Sequence, residues 1–176
     1  MAVKEAEEKS ADQEQKQRHR VRMDFWEKAL EAFNQSDCTL YNNISPSRDH
    51  WLSAGSGISA VVYSLIFGRQ EIRVELNIGR RSADENCFIF DRLNQQKADI
   101  EGRFGAVLEW LPLPEKKSCR IQLSKPVDGY NRDNWPDMIR WMVLHMTRLE
   151  QALREPLKGI RPQIRLHGNT SETADV

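Results

Sequence analysis

The chain has 176 residues, 30% charged and 39% hydrophobic, enough for one core that folds without covalent staples. Lys plus Arg equals Asp plus Glu at 26 each, so no global field draws it onto nucleic acid or an anionic membrane, although a local basic patch is compatible with that total. No apolar run approaches membrane-spanning length and the polar opening MAVKEAEEKSADQEQKQRHR is no signal peptide, so a soluble, cytoplasmic protein is expected.

Residues 1–20 hold almost nothing to bury and read as a charged, flexible arm or a solvated extension of the first helix. From Val21 onward, Phe25, Trp26, Ala29, Leu30 and Phe33 recur at helical spacing, with Asp24 in the opening turn. This predicts that the first helix ends near Gln35. A turn-rich connection with Asn42, Asn43 and Ser45–Pro46 leads to three strands, near 50–54, 58–67 and 70–78, broken at Ser53–Gly57 and Gly68–Gln70. The middle strand is apolar on both faces, which predicts a central position covered on both sides. The short Gly68–Gln70 turn predicts an antiparallel hairpin. In the third strand Arg73, Glu75 and Asn77 share one face, and Ile72, Val74, Leu76 and Ile78 share the other.

Ser82-Ala-Asp-Glu85 is a capping box. It opens a predicted helix running to Gly105, with Cys87, Phe90, Leu93, Ile100 and Phe104 on one face and Lys97 falling on the same stripe. Strands at Val107–Leu111 and Cys119–Leu123 come next, joined through Pro112 and Pro114. Asn134-Trp135-Pro136 starts a long helix whose buried stripe is Trp135, Met138, Met142, Met146, Leu149 and Leu153, and Pro156 is predicted to stop it. Residues 156–176 then form a polar, partly basic tail carrying Lys158, Arg161 and Arg165. The expected fold is a single α+β domain over 21–155, in the order α-β-β-β-α-β-β-α. Its five strands form one mixed or antiparallel sheet flanked by helices.

The segments FWEKALEAF, SPSRDHWLSAGSGIS, RVELNIGR, IFDRLNQQKADIEGRFG, LEWLP and NWPDMIRWMVLHMTRLEQAL, spread over residues 22–155, resemble a prokaryotic family known as domain of unknown function 4268. The resemblance brings no catalytic residues with it. It implies an add-on domain that stands alone or comes after another, sometimes nuclease-like, domain, and so a place in nucleic-acid metabolism or defence.

The order helix, three strands, helix, strand is also that of the core of metal-dependent nucleases of the restriction-endonuclease type. There the third strand carries an acid and, two residues on, a lysine that serves the attacking water beside Mg²⁺. Here that strand reads Glu75-Leu76-Asn77, and Ile58–Phe67 contains no second carboxylate. Lys97 is the candidate replacement lysine; its stem could equally run along the apolar face. The plainer role for Glu75 is an ion pair with Arg73, Arg120 or Lys97. No cofactor is expected, with Mg²⁺ required only by the nuclease alternative.

The histidines His19, His50, His145 and His167 lack metal-site spacing. Cys38, Cys87 and Cys119 show no CxxC pair and read as small hydrophobes in a reducing compartment. Gly55-Ser56-Gly57 lacks the wider frame of a nucleophile elbow or a P-loop and suits a tight bend whose amides could meet a phosphate. Contact candidates are Arg48 with Trp51, by charge and stacking on nucleic acid, and Arg69, Arg80 and Arg81 as the rest of a positive groove. Trp26 and Trp135 belong to buried stripes, whereas Trp141 lies off its helix's stripe and would mark a protein partner or the second copy of a homodimer. The leading expectation is a non-catalytic binding or interaction domain serving nucleic-acid metabolism or defence. The alternatives are a divergent nuclease using Glu75 and Lys97, and a protein-only adaptor.

Overall fold

The alternating strands and the two long apolar stripes settle into two layers, described by a computed structural model over residues 2–172, with side chains through Leu166. The elements are α1 (Ala2–Asn34), β1 (Trp51–Ile58), β2 (Val61–Phe67), β3 (Glu71–Ile78), α2 (Ala83–Asn94), α3 (Lys97–Phe104), β4 (Glu109–Leu111), β5 (Cys119–Pro126) and α4 (Trp135–Glu172). The strands form one sheet in the order β1-β2-β3-β5-β4, and each neighbouring pair is antiparallel. The sheet is thus the five-stranded one expected, in its antiparallel form. Helix α4 lies across β1, β2 and β3 and gathers α1, α2 and α3 around itself.

Period-two alternation puts Ile72, Val74, Leu76 and Ile78 of β3 beside Val61, Tyr63, Leu65 and Phe67 of β2 on the helix side, all buried. Against them pack Phe25 and Phe33 from α1 and the α4 stripe Met138, Met142, Met146 and Leu149, equally buried. Phe25 stacks on Phe67 with ring centroids 3.9 Å apart. Trp26 and Trp135 are buried as expected. Their indole N–H groups donate to the Asp49 and Gly129 carbonyls at 2.9 and 2.8 Å, so neither polar tip is stranded.

The structure revises several boundaries. Strand β1 runs through the predicted Ser53–Gly57 break, and the reversal comes instead at Ser59–Ala60, between the paired Ile58 and Val61. The small residues host a register irregularity between Gly55 and Ile58, with Gly57 at φ +95°. The Ser56 hydroxyl stitches it by accepting from Ile58 N at 3.2 Å and donating to the Val61 carbonyl at 2.5 Å. The glycine-flanked segment is therefore part of a strand.

The predicted 82–105 helix is two helices parted at Gln95–Gln96. Ser82 caps α2 by accepting from Glu85 N at 3.2 Å, while the Glu85 carboxylate turns to Arg80 instead of completing the box. Gly105, at φ +91°, closes α3 and donates to the Glu101 carbonyl. The interruption takes Lys97 off the stripe and leaves it exposed, while Cys87 is exposed because α2 turns Asn86, Ile89, Phe90 and Leu93 inward instead.

Pro156 does not end α4, which continues through it and Pro162 to Glu172. Leu157, Ile160 and Ile164 extend the buried stripe, and that burial offsets the local cost of a proline. The first part of the expected tail is thus helix with an apolar face, and residues 173–176 lie outside the described residues. At the other end, residues 2–20 are helical and almost entirely exposed, the solvated extension rather than a separate arm. Cover on both faces of β2 was expected, and six of its seven residues are buried; of the three that face away from the helices, Ser64 and Ile66 are buried and Val62 is half-buried.

Candidate functional site: the open face of the sheet

Antiparallel register aligns side chains across all five strands on the face that the helices leave bare. Ser53 pairs with Ser64, Ser64 with Glu75, Glu75 with Gln122, and Gln122 with Glu109. This polar row is flanked on one side by Trp51, Ile66, Arg73 and Ser124, and on the other by Gly55, Val62, Asn77, Arg120 and Leu111. Directly opposed residues in a sheet project to one side, so these three rows form one surface. A groove of about 300 Å³ lies over it, with His50, Trp51, Ser53 and Asn77 in its walls and Arg73, Glu75 and Arg120 in its floor.

Glu75 sits at the centre and is only 3% exposed. Arg73 Nε lies 3.3 Å and Arg120 Nε 3.4 Å from the same oxygen, Glu75 Oε2. The charges are paired, yet none of these three atoms meets hydrogen-bond geometry with any described residue, and Gln122 Oε1 beside them shares that condition. The three charged atoms are inaccessible to solvent and are held by ion pairing rather than by aligned hydrogen bonds. Burial pushes the Glu75 carboxyl above its ordinary range, and the two arginines pull it part of the way back. Arg73 also donates to Glu71 at 2.9 Å, Ser53 and Ser64 share a 2.8 Å hydrogen bond, and Glu109 accepts from Gln122 and Ser124 at 3.2 Å each.

Trp51 at the rim is 43% exposed, with the His50 ring edge-on to it at 4.7 Å between centroids. Burial lowers the His50 pKa, and the nearby positive charges of Arg22 and Arg73 lower it further. The face therefore offers an aromatic platform, small hydroxyl and amide groups, and two guanidinium groups held in fixed positions. Groups of these types are capable of stacking and of planar hydrogen-bond donation. Among the described residues, no three His, Cys, Asp or Glu side chains gather in a metal-holding arrangement.

The other sequence candidates scatter. Lys97 lies at the start of α3 with its ammonium 6.0 Å from the centre of the Trp110 ring, and it does not line the groove that holds Glu75. Arg48 precedes β1 at the end of the sheet that also carries Arg69, whose guanidinium lies over the Tyr130 ring at 4.7 Å. Arg80 and Arg81 come after the far end of β3, roughly 25 Å away at the rise of an extended strand, so these four arginines do not form one groove. Trp141 is half-buried, its ring 4.4 Å from that of His145, which donates to the Trp141 carbonyl at 2.7 Å. The His167 side chain lies outside the described residues.

From sequence, Arg73 and Arg120 enter only as partners for Glu75, and the surface they share with Trp51 is not foreseen. The available signal was the alternation Arg120, Gln122, Ser124, which repeats the Arg73, Glu75, Asn77 pattern on a strand that pairs with it.

No helix of the described residues is long and apolar enough to cross a membrane. Neither the curated proteins nor the solved structures include a match to this chain. The family comparison is positive: the model of the domain of unknown function DUF4268 matches residues 21–157, from the apolar part of α1 to just past Pro156, and the chain belongs to that family.

Proposed function

We propose that this is a cytoplasmic, non-catalytic binding domain that receives single-stranded nucleic acid on the open face of its sheet. The observation that carries this reading is the groove in which exposed Trp51 stands beside the side chains of Arg73 and Arg120. Unstacked bases suit such a surface, because every base has a face to stack and an edge to accept hydrogen bonds, whereas a duplex hides the faces and the Watson–Crick edges. A binding role also agrees with Glu75, whose carboxylate is enclosed between two cations rather than opened toward a metal.

The test is a titration of labelled single-stranded RNA, single-stranded DNA and duplex, monitored by anisotropy at two salt concentrations. Single strands bind, more weakly as salt rises, and Trp51→Ala costs on the order of tenfold through lost stacking. No strand is cut in Mg²⁺ or Mn²⁺. Absence of binding at low salt, or indifference to Trp51→Ala, refutes the proposal. Metal-dependent cleavage abolished by Glu75→Ala replaces it with the nuclease alternative.

A further inference from the structure

A second polar cleft lies away from the open face, where the β1–β2 hairpin and the end of β3 meet the late turns of α4. It encloses about 200 Å³ and is lined by Gly57, Ser59, Arg80, Arg161 and Arg165, with Ile58 and Ile164 as its apolar backing. Three arginines face one small space. Arg80 is anchored: its Nε donates to Glu85 Oε2 at 2.6 Å and its Nη1 to the Ser59 carbonyl at 2.8 Å. That leaves Nη2 uncommitted on a guanidinium that is otherwise held still.

Arg161 and Arg165 stand one helical turn apart on α4, and both are exposed. Like charges at this spacing repel, and neither side chain makes a hydrogen bond or ion pair with the described residues. Among the described residues, Glu85 is the one carboxylate engaged with the cluster, and it is already spent on Arg80. The cleft therefore carries excess positive charge with free, forked donors on two sides, and Gly57 contributes no side chain to fill it.

We propose that this cleft is a phosphate-binding site, in which Arg161 and Arg165 close over a phosphate group that Arg80 receives from the opposite wall. Guanidinium forks match phosphate oxygens in pairs, and a phosphate here relieves the repulsion between Arg161 and Arg165. Two of the three arginines lie beyond the residues that the family model matches, so the site is a feature of this chain's α4 extension. It does not depend on the open-face reading.

The experiment titrates the full chain with inorganic phosphate by calorimetry, then uses phosphate to compete against a trinucleotide carrying or lacking a 5′-phosphate. Saturable phosphate binding is expected, weakened at least about tenfold in Arg161→Ala/Arg165→Ala, with Arg103→Ala on α3 binding as the wild type does. Preference for the 5′-phosphorylated trinucleotide identifies a terminal phosphate as the source. Equal, arginine-dependent binding of both identifies a phosphodiester. No saturable binding of phosphate or of either trinucleotide, or full binding by the double variant, overturns the proposal. Because both arginines are exposed, the double variant is expected to fold, and a circular dichroism melt checks it. Inorganic phosphate offers no base to Trp51, so this result stands or falls apart from the open-face titration.

Discussion

Arg73 and Arg120 reach for one oxygen, Glu75 Oε2, from adjacent strands, at 3.3 and 3.4 Å. Glu75 is what allows two arginines, each about one-fifth exposed along the side chain, to stand together on the sheet. Removing it leaves two like charges converging on an empty floor. Glu75→Ala should therefore cost roughly 3 kcal/mol in urea unfolding, the scale for breaking a mostly buried ion pair. Replacing all three at once, as Arg73→Met/Glu75→Leu/Arg120→Met, should regain most of that stability and abolish binding at the open face. Failure of the triple variant to exceed Glu75→Ala would show that the triad itself is needed for the fold.

The Glu75 carboxyl also gives stability a pH signature. Its folded pKa is raised, chiefly by burial, so the folded protein holds this proton more tightly than the unfolded chain does. The associated contribution is fully present below the ordinary glutamate range and is lost as pH rises through the raised folded value. Glu75→Gln carries no titrating group there. The unfolding free energy of the wild type minus that of Glu75→Gln should fall as pH is raised across this window, measured by urea midpoints at matched ionic strength. The difference matters because other carboxylates bend both curves alike. A gap that stays constant or widens with pH contradicts the assignment.

Much of the architecture can be read from local pattern, because β3 declares itself by alternation and α4 by its Trp and Met stripe. The open face is legible only in halves. Arg73, Glu75 and Asn77 share a side by strand period alone, but their meeting with Arg120 and Gln122 depends on the β3–β5 pairing, a long-range fact that no window of sequence contains. Lys97 illustrates a different failure. Its place on a stripe assumed one unbroken helix, and the Gln95–Gln96 interruption contains neither proline nor glycine to announce it. Pro156 is the reverse case, a breaker outweighed by the burial of Leu157, Ile160 and Ile164 beyond it.

Asn86 is fully buried, and nothing in the local pattern of the sequence singles it out. Its Oδ1 accepts from Arg80 N, and its Nδ2 donates to the Arg80 and Lys117 carbonyls, each at 2.9 Å. One side chain thereby ties the end of β3 to the loop entering β5. Asn86→Leu preserves approximate volume but strands three backbone groups away from water. The expected loss is about 3 kcal/mol by chemical denaturation. A cost within ~0.5 kcal/mol of zero would mean that those groups find other partners.

The continuation of α4 makes the last prediction. If residues beyond Pro156 were a polar tail, truncating an apolar side chain there would change nothing, since exposed substitutions fall within about 0.5 kcal/mol. Ile160 is instead 2% exposed, on the same stripe as Leu153 and Leu157, and it lines the cleft between α3 and α4 opposite Ile100. Removing its outer carbons leaves a gap beside the α2–α3 junction, the point where the second layer is interrupted. Ile160→Ala should cost about 2–4 kcal/mol in urea, the range for emptying a core position. Lys158→Ala, two residues earlier on the solvent side, should be close to neutral. Equal, negligible effects from both would return this segment to the status of a tail and remove the footing on which Arg161 and Arg165 are held against the hairpin.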